Sequence, residues 1–304
     1  MPDADGSLPA TPTFDADNYP DCAFYEVFLR CDTHTLSVLP ELCPRFKALL
    51  SDNFFWMEKC QRDGKAIPTP QLRKEIAAKG ISNVFDYKTL WRNDPFGSNL
   101  APLHLEEPTS MDIISTTPGI TNRGVFMVEE PPEGLPSDRF PKIDRCIKTL
   151  NTGAYGHFHV TVKLADKGIE DWVMDELRPL IEVQLWVAPS LLFAYSCSNC
   201  NVSLWAEEPV DDKSHSPISV SDINVSMHKL EWRRLVYRNN MYGRGVRYIR
   251  FTFAGIGQSS ALWHRGMRFA NIEMRAILWP LMNYGGAVAE EVGADRHYEK
   301  VEKW

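Results

Sequence analysis

Long hydrophobic runs are missing from this chain of 304 residues. No apolar stretch approaches the roughly 18 residues of a membrane-spanning helix, and the acidic, Pro- and Ala-rich N-terminus lacks the apolar core of a secretion signal. Cysteine is scarce: the seven residues are odd in number and widely spaced, which argues against the disulfide framework of a secreted protein. We therefore expect a soluble, cytoplasmic protein that does not insert into a membrane.

Basic clusters and catalytic signatures are also missing. The formal net charge is −7, and the arginines at Arg233, Arg234, Arg247 and Arg250 are scattered along predicted strands, so we expect no nucleic-acid binding. The chain has no P-loop, no Gly-x-Ser-x-Gly and no His-Glu-x-x-His motif. We therefore predict no catalytic residue, no cofactor and a non-enzymatic role.

Three weaker signals have a structural explanation that we prefer. The pair Cys197-x-x-Cys200 has no second Cys/His pair at zinc spacing. His157 and His159 share one strand face without a third ligand, so a solvated sheet face is favoured over a metal site. Gly243-x-Gly245 leads into a strand rather than a helix, which indicates a turn and not a phosphate loop.

The apolar pattern separates a short helical segment from a strand-rich remainder. Up to Trp56 the apolar residues recur at spacings of three and four, which is typical of amphipathic helices. So short a segment cannot support an independent core, so its apolar face must pack on the chain or on a partner. We predict a disordered segment 1–18, a helical module 19–62, a linker 63–81, a strand-rich domain 82–280 and a C-terminal tail 281–304.

Period-two alternation marks the strands. Phe158, Val160, Val162 and Leu164 fall on one face of a predicted strand, and the segment 272–276 alternates in the same way. Clusters of Gly, Pro, Asn and Asp separate many such runs. The sequence therefore predicts an α+β protein that is mainly β, with a β-sandwich or barrel following the helices.

The helical segment resembles an F-box. That motif begins with Leu-Pro, continues with an apolar pair and ends in Val-Cys-x-x-Trp, and this chain matches its spacing without a gap. Pro44 stands at a position that is helical in the motif, and proline is tolerated in a helix only in its first turn. The matching residues are Tyr19-Pro20, Val27-Phe28, Thr35-Leu36 and Leu42-Cys43-Pro44-Arg45-Phe46.

Three further blocks resemble the F-box-associated domain that follows the F-box in one family, which includes the sugar-recognising F-box proteins. The first is similar to the segment that joins the two domains, and the others occur in order within the associated domain. The resemblance covers residues 19–280 and implies a galactose-binding-like jelly-roll sandwich of antiparallel strands. The blocks are Phe55 to Gly64, Thr161 to Trp186, and Tyr242 to Phe251 with its continuation Gly266 to Asn271.

The resemblance implies a substrate-recognition adaptor of an SCF-type ubiquitin ligase. The helices would insert an apolar face into a groove of a Skp-type adaptor, and through it reach the cullin ligase. The sandwich would bind a protein or glycoprotein substrate, and the family's sugar-recognising members imply a role in the degradation of misfolded glycoproteins. The residues expected to contact the Skp-type adaptor are Tyr19, Pro20, Val27, Phe28, Leu36, Leu39, Leu42, Cys43 and Phe46.

The substrate is expected to contact two loops. Family members that bind N-glycans use a Tyr-Trp pair where this chain has Ser260-Ala261, with Trp263 two residues away. A protein surface is therefore favoured, while a lectin-type N-glycan receptor, a Skp-binding protein outside any ligase and a carbohydrate-active enzyme remain alternatives. The expected loop residues are Ser190, Leu191, Leu192, Phe193, Ser260, Ala261, Leu262, Trp263 and His264.

Overall fold

The computed structural model describes most of the chain and divides it into two compact units. Among the described residues, the first unit comprises 19–64 and 86–92, and the second comprises the others. The described residues are 19–101, 120–122, 126–129, 143, 145–149, 155–189, 196–209, 216–227, 232–256 and 267–278.

Six α-helices lie in the described part of the chain, and all but α5 belong to the first unit. Asp32 caps α2 by accepting a hydrogen bond from Thr35 N at 2.8 Å. Pro44 is the first residue of α3, after an extended Cys43 (φ −158°), so no helix has to accommodate this proline in its interior. The helices are α1 (Asp21–Phe28), α2 (Thr33–Leu42), α3 (Pro44–Leu49), α4 (Asn53–Arg62), α5 (Pro70–Ala78) and α6 (Tyr87–Asn93).

Aromatic rings form the core of the helical unit. Phe46 on α3 packs edge-to-face against Phe24 and Phe28 on α1, with ring centroids 5.0 Å apart in both pairs. All three side chains are at least 93% buried, since their exposed fractions are 7%, 7% and 3%. The apolar residues at helical spacing in the sequence therefore join α1 to α3 within the chain itself.

A buried lysine fastens the end of α4. Lys59 Nζ donates hydrogen bonds to Leu29 O and to Asp63 Oδ1, both at 3.0 Å. The other oxygen of Asp63 accepts a hydrogen bond from Trp91 Nε1 at 2.7 Å, and the Trp91 ring lies 5.1 Å from that of Trp56. Helix α6 is thus bound into the helical unit, although the chain leaves that unit at Gly64 and returns at Asp86.

Ten described strands form two five-stranded antiparallel sheets in the second unit. Their orders are β1-β4-β9-β6-β7 and β2-β3-β10-β5-β8. Phe253 on β9 and Phe269 on β10 lie ring to ring at 4.2 Å, so the sheets face each other as a sandwich. The strands are β1 (Ile120–Asn122), β2 (Phe126–Glu129), β3 (Cys146–Thr149), β4 (Tyr155–Lys163), β5 (Leu180–Pro189), β6 (Ser196–Trp205), β7 (Ser219–Met227), β8 (Arg233–Asn239), β9 (Tyr248–Ile256) and β10 (Met267–Ile277).

The predicted alternation within strands is confirmed. Val160 and Val162 on β4 are buried, as are Ile272, Met274 and Ala276 on β10. The coarse prediction of an α+β protein that is mainly β also agrees with the structure, because six helices accompany two β-sheets.

The predicted boundaries between the units differ from the observed ones. The predicted linker 63–81 contains α5, where Thr69 Oγ1 accepts from Leu72 N at 3.1 Å and Pro70 occupies the first turn. Residues 65–85 belong to the sandwich unit, whereas 86–92, predicted to begin the strand-rich domain, belong to the helical unit.

In the part of the chain that the structure describes, the helices are too short or too polar to cross a membrane.

Candidate functional site

The residues predicted to contact a Skp-type adaptor divide into a buried and an exposed set. Phe28, Leu36 and Phe46 are buried in the helical unit, so their prediction as contact residues is wrong for this conformation. For Phe28 and Phe46 the physical reason is that these rings pack against each other and join α1 to α3. Leu39 and Cys43 are half-buried, and the exposed members of the set are Tyr19, Pro20, Val27 and Leu42.

The helical unit holds most of the large apolar side chains that are exposed among the described residues. Of the eight large apolar residues exposed among the described residues, five lie in this unit, which is the smaller one. Val27 is 58% exposed and Leu42 is 64% exposed, at the ends of α1 and α2. Exposed apolar residues that occur singly need no explanation, whereas a contiguous patch of them marks an interaction site. The five are Tyr19, Val27, Val38, Leu42 and Phe54.

Arg45 binds the segment that leads into α1. Arg45 Nε binds Asp21 Oδ1 at 2.7 Å, and Arg45 Nη2 donates to Tyr19 O at 2.6 Å. The guanidinium also lies 5.2 Å from the ring centroid of Phe24. The segment before α1 is therefore fixed to α3, which gives Tyr19 a defined position although its side chain is half exposed.

The predicted substrate-loop residues lie outside the described residues. These are Ser190 to Phe193 and Ser260 to His264. The strand ends that flank the two loops are described, and they are neighbours: Met267 pairs with Pro189 across β10 and β5, and Ser198 pairs with Gly255 across β6 and β9. The strands that flank the two connections are therefore neighbours in their sheets.

A second site of interest lies in the sandwich unit, where two sequence blocks of the resemblance meet. Asp175 accepts hydrogen bonds from Gly245 N at 2.7 Å and from both Nη atoms of Arg247 at 3.0 and 2.8 Å. Hydrogen bonding to Arg247 is the main cause that holds the pKa of Asp175 below its ordinary value. Tyr242 OH donates to Pro179 O at 2.7 Å beside them, and burial raises the pKa of this phenol.

The same segment borders a cleft of about 500 Å³. Asp175 lies inside a π-helical turn, Val173–Leu177. The next residue, Arg178, adopts the left-handed conformation with φ +49°. No sequence signal predicted this cleft, because Lys79 and Ile81 come from the segment after α5, far along the chain. The cleft is lined by Lys79, Ile81, Asp175, Glu176, Leu177, Arg178 and Arg244.

The weaker metal and turn signals can be placed as well. Cys200 is fully buried in β6, and burial raises the pKa of its thiol, which disfavours the thiolate that zinc or disulfide exchange requires. Among the described residues, no group of three or more Cys, His, Asp or Glu side chains could hold a metal ion. Gly245 has φ +92° in a turn, as predicted for the Gly243-x-Gly245 segment.

No family model and no curated protein matches the chain. Solved structures that resemble it include a xylan-binding CBM22 domain of Paenibacillus barcinonensis Xyn10C (TM-score 0.33, 14% identity, covering 60% of this chain and 93% of that one). A cleaved adhesin domain of the Porphyromonas gingivalis Lys-gingipain gives 0.32 and 9%, covering 53% and 92%. An arabinose-bound GH51 α-L-arabinofuranosidase gives 0.37 and 8%, covering 59% of this chain but only 26% of the enzyme. Similarity this low carries no argument about function.

Proposed function

We propose that this protein is the substrate-recognition adaptor of an SCF-type ubiquitin ligase. The helical unit binds a Skp-type adaptor, and the sandwich binds a protein substrate. The observation that carries the proposal is the exposure of Tyr19, Val27 and Leu42, three residues of the F-box-like motif, on a small helical unit whose core is otherwise well filled. The sequence resemblance supplies the identity of the partner.

The contact surface in this proposal is smaller than the motif alone suggests. Val27 and Leu42 act as apolar anchors that are exposed before binding, while Phe28 and Phe46 support them from inside the unit. A few buried anchors supply most of the affinity at such interfaces. Arg45, by fixing the segment that carries Tyr19, reduces the ordering cost of binding.

The sandwich is proposed to have jelly-roll topology. From β3 to β6 the chain alternates between the two sheets at each step, and β8 to β10 alternate in the same way. The adjacent strand ends at Pro189 and Met267 support a shared substrate site formed by the two loops that depart there. The protein itself carries out no bond chemistry in this proposal; it accelerates ubiquitin transfer by raising the effective concentration of substrate lysines near the conjugating enzyme.

The test is co-precipitation of the full chain with a Skp-type adaptor and a cullin. The double variant Val27→Asp/Leu42→Asp should reduce recovery of the adaptor at least about tenfold, because two charges would be buried at the interface. Both side chains are more than half exposed, so the variant should fold. The matched control is Met241→Asp, which places a charge on a side chain 77% exposed in the other unit.

Equal recovery of the adaptor with wild type and the double variant would contradict the proposal. Recovery of the adaptor without the cullin would favour a Skp-binding protein outside any ligase.

A further inference from the structure

Among the described residues, the cleft beside Arg178 is lined by three cationic side chains and two carboxylates. Its two carboxylates are paired: Asp175 binds Arg247, and Glu176 Oε2 accepts from Arg244 at 3.0 Å. Within the described chain, Lys79 and Arg178 form no ion pair with any carboxylate, and both are exposed to solvent. Two cations therefore remain available on one concave surface.

The backbone that presents Arg178 is strained. A non-glycine residue with φ +49° adopts a conformation that costs roughly 1–2 kcal/mol for an L-residue. It directly follows a five-residue π-helical turn, a feature that is rare and common at functional sites. Strain of this kind persists only where the surroundings fix it.

Two hydrogen bonds on either side fix this segment. Asp175, inside the π-helical turn, accepts from Gly245 N, and the carbonyl of Pro179 accepts from the buried Tyr242 hydroxyl. Arg178 lies between these two anchors. Its side chain is thus directed at the cleft by a rigid frame rather than by a loop free to adapt.

We propose that this cleft is a binding site for a phosphoryl group carried on a peptide or another small ligand. A phosphomonoester carries a charge of about −1.5 to −2 at neutral pH and offers three acceptor oxygens, which suits one guanidinium and one ammonium together. The Arg178 guanidinium can bind two of these oxygens side by side, and Lys79 adds a point charge.

The size of the cleft fits a ligand larger than phosphate alone. Its volume of about 500 Å³ lies within the range of small-molecule sites. Ile81 and Leu177 contribute an apolar part of the lining, against which the carrier of the phosphoryl group can pack. The inference does not rest on the proposed ligase function, because it is argued only from the charges and backbone of the cleft residues, all of which belong to the sandwich unit.

Isothermal titration of the full chain tests the site with inorganic phosphate, phosphoserine, and a phosphoserine peptide with its unphosphorylated twin. The phosphorylated probes should bind, and the twin should not. Arg178→Gly should weaken binding at least about tenfold, since it removes a charge-assisted pair of hydrogen bonds. Glycine accepts φ +49° without strain, so this variant should unfold at no lower temperature than wild type.

The matched control is Lys163→Gln at the end of β4, which removes one positive charge from an exposed side chain that is paired with Asp166. It should leave phosphoryl binding unchanged. Tighter binding of the phosphopeptide than of inorganic phosphate would identify a peptide as the source of the group, whereas equal affinities would point to the free group. Absence of binding by every phosphorylated probe, or equal affinity in wild type and Arg178→Gly, would overturn the proposal. Adaptor recovery by Arg178→Gly should equal that of wild type.

Discussion

Asp175 and Arg247, 72 positions apart in the chain, form a two-pronged ion pair in which both carboxylate oxygens accept from the guanidinium. Asp175 also binds the backbone of Gly245, and Arg247 also binds Asp171 at 3.1 Å. The pair joins the π-helical turn before β5 to the turn before β9.

Replacing Asp175 should destabilise the sandwich unit in a pH-dependent way. Asp175→Asn should cost about 1–2 kcal/mol at pH 7, because a charge-assisted hydrogen-bond pair is lost from a mostly buried site. The folded-state pKa of Asp175 lies below its ordinary value near 3.8. The stabilisation is therefore fully present above about pH 4 and is lost as the pH falls through the folded-state pKa.

Urea unfolding of wild type and Asp175→Asn at pH 7, 5 and 3.5 measures this difference, which should shrink at the lowest pH. Asp171→Asn is the control: its carboxylate contacts the same arginine but is 63% exposed, so its loss should cost much less. A difference in unfolding free energy that stays constant with pH would contradict the prediction.

Tyr242→Phe should lower the free energy of unfolding by about 1–2 kcal/mol, since the Pro179 carbonyl loses its donor in a buried site. Burial raises the pKa of the Tyr242 hydroxyl above its ordinary value of 10.0. Its contribution is therefore complete below pH 10 and is lost as the pH rises through the folded-state value. Burial raises the pKa of Tyr25 as well, so absorbance at alkaline pH should show one late-titrating tyrosine fewer in the variant than in wild type; a wild-type and variant titration that coincide would refute this assignment.

The core and surface residues of the helical motif should respond differently to truncation. Phe46→Ala should cost about 3–5 kcal/mol, because it leaves a cavity between Phe24 and Phe28. Leu42→Ala should change stability by less than about 0.5 kcal/mol, since its side chain is 64% exposed. Thermal unfolding followed by circular dichroism measures both, and similar losses in the two variants would show that Leu42 is not a surface residue.

Asn271 should tolerate glycine but not a β-branched residue. It has φ +46° at the register shift between Ala270 and Glu273 on β10, and its side chain is exposed. Asn271→Gly should be close to neutral, whereas Asn271→Val should cost roughly 1–2 kcal/mol through backbone strain. Chemical denaturation compares the pair; equal stability of the valine and glycine variants would remove the backbone explanation.

Local patterns in the sequence predicted the strands well and the helical core partly. The alternation at Val160, Val162 and Ile272 survives because it depends only on which face of a sheet is buried. The helical spacing identified Phe28 and Phe46 as apolar-face residues, but periodicity cannot tell whether such a face meets its own chain or a partner. Only the position of α3 against α1 decides that.

Helix α5 has a start signal in the sequence, whereas the position of α6 depends on a long-range contact that the sequence does not indicate. Thr69 followed by Pro70, with apolar residues at Leu72 and Ile76, is a helix start signal inside the segment predicted as a linker. By contrast, nothing local indicates that Trp91 returns to Asp63. The left-handed Arg178 was equally hidden, because a motif match assigns no backbone conformation to its residues.

The hydrogen bond from Trp91 to Asp63 has a practical consequence for protein engineering. A fragment cut at Gly64 would omit Trp91, whose ring packs against Trp56 and whose Nε1 donates to the same Asp63 carboxylate that binds Lys59. The N-terminal helices should therefore not be fused to another recognition domain at that boundary. Any functional transplant has to carry the intervening segment through Arg92, and with it α5, which belongs to the other unit.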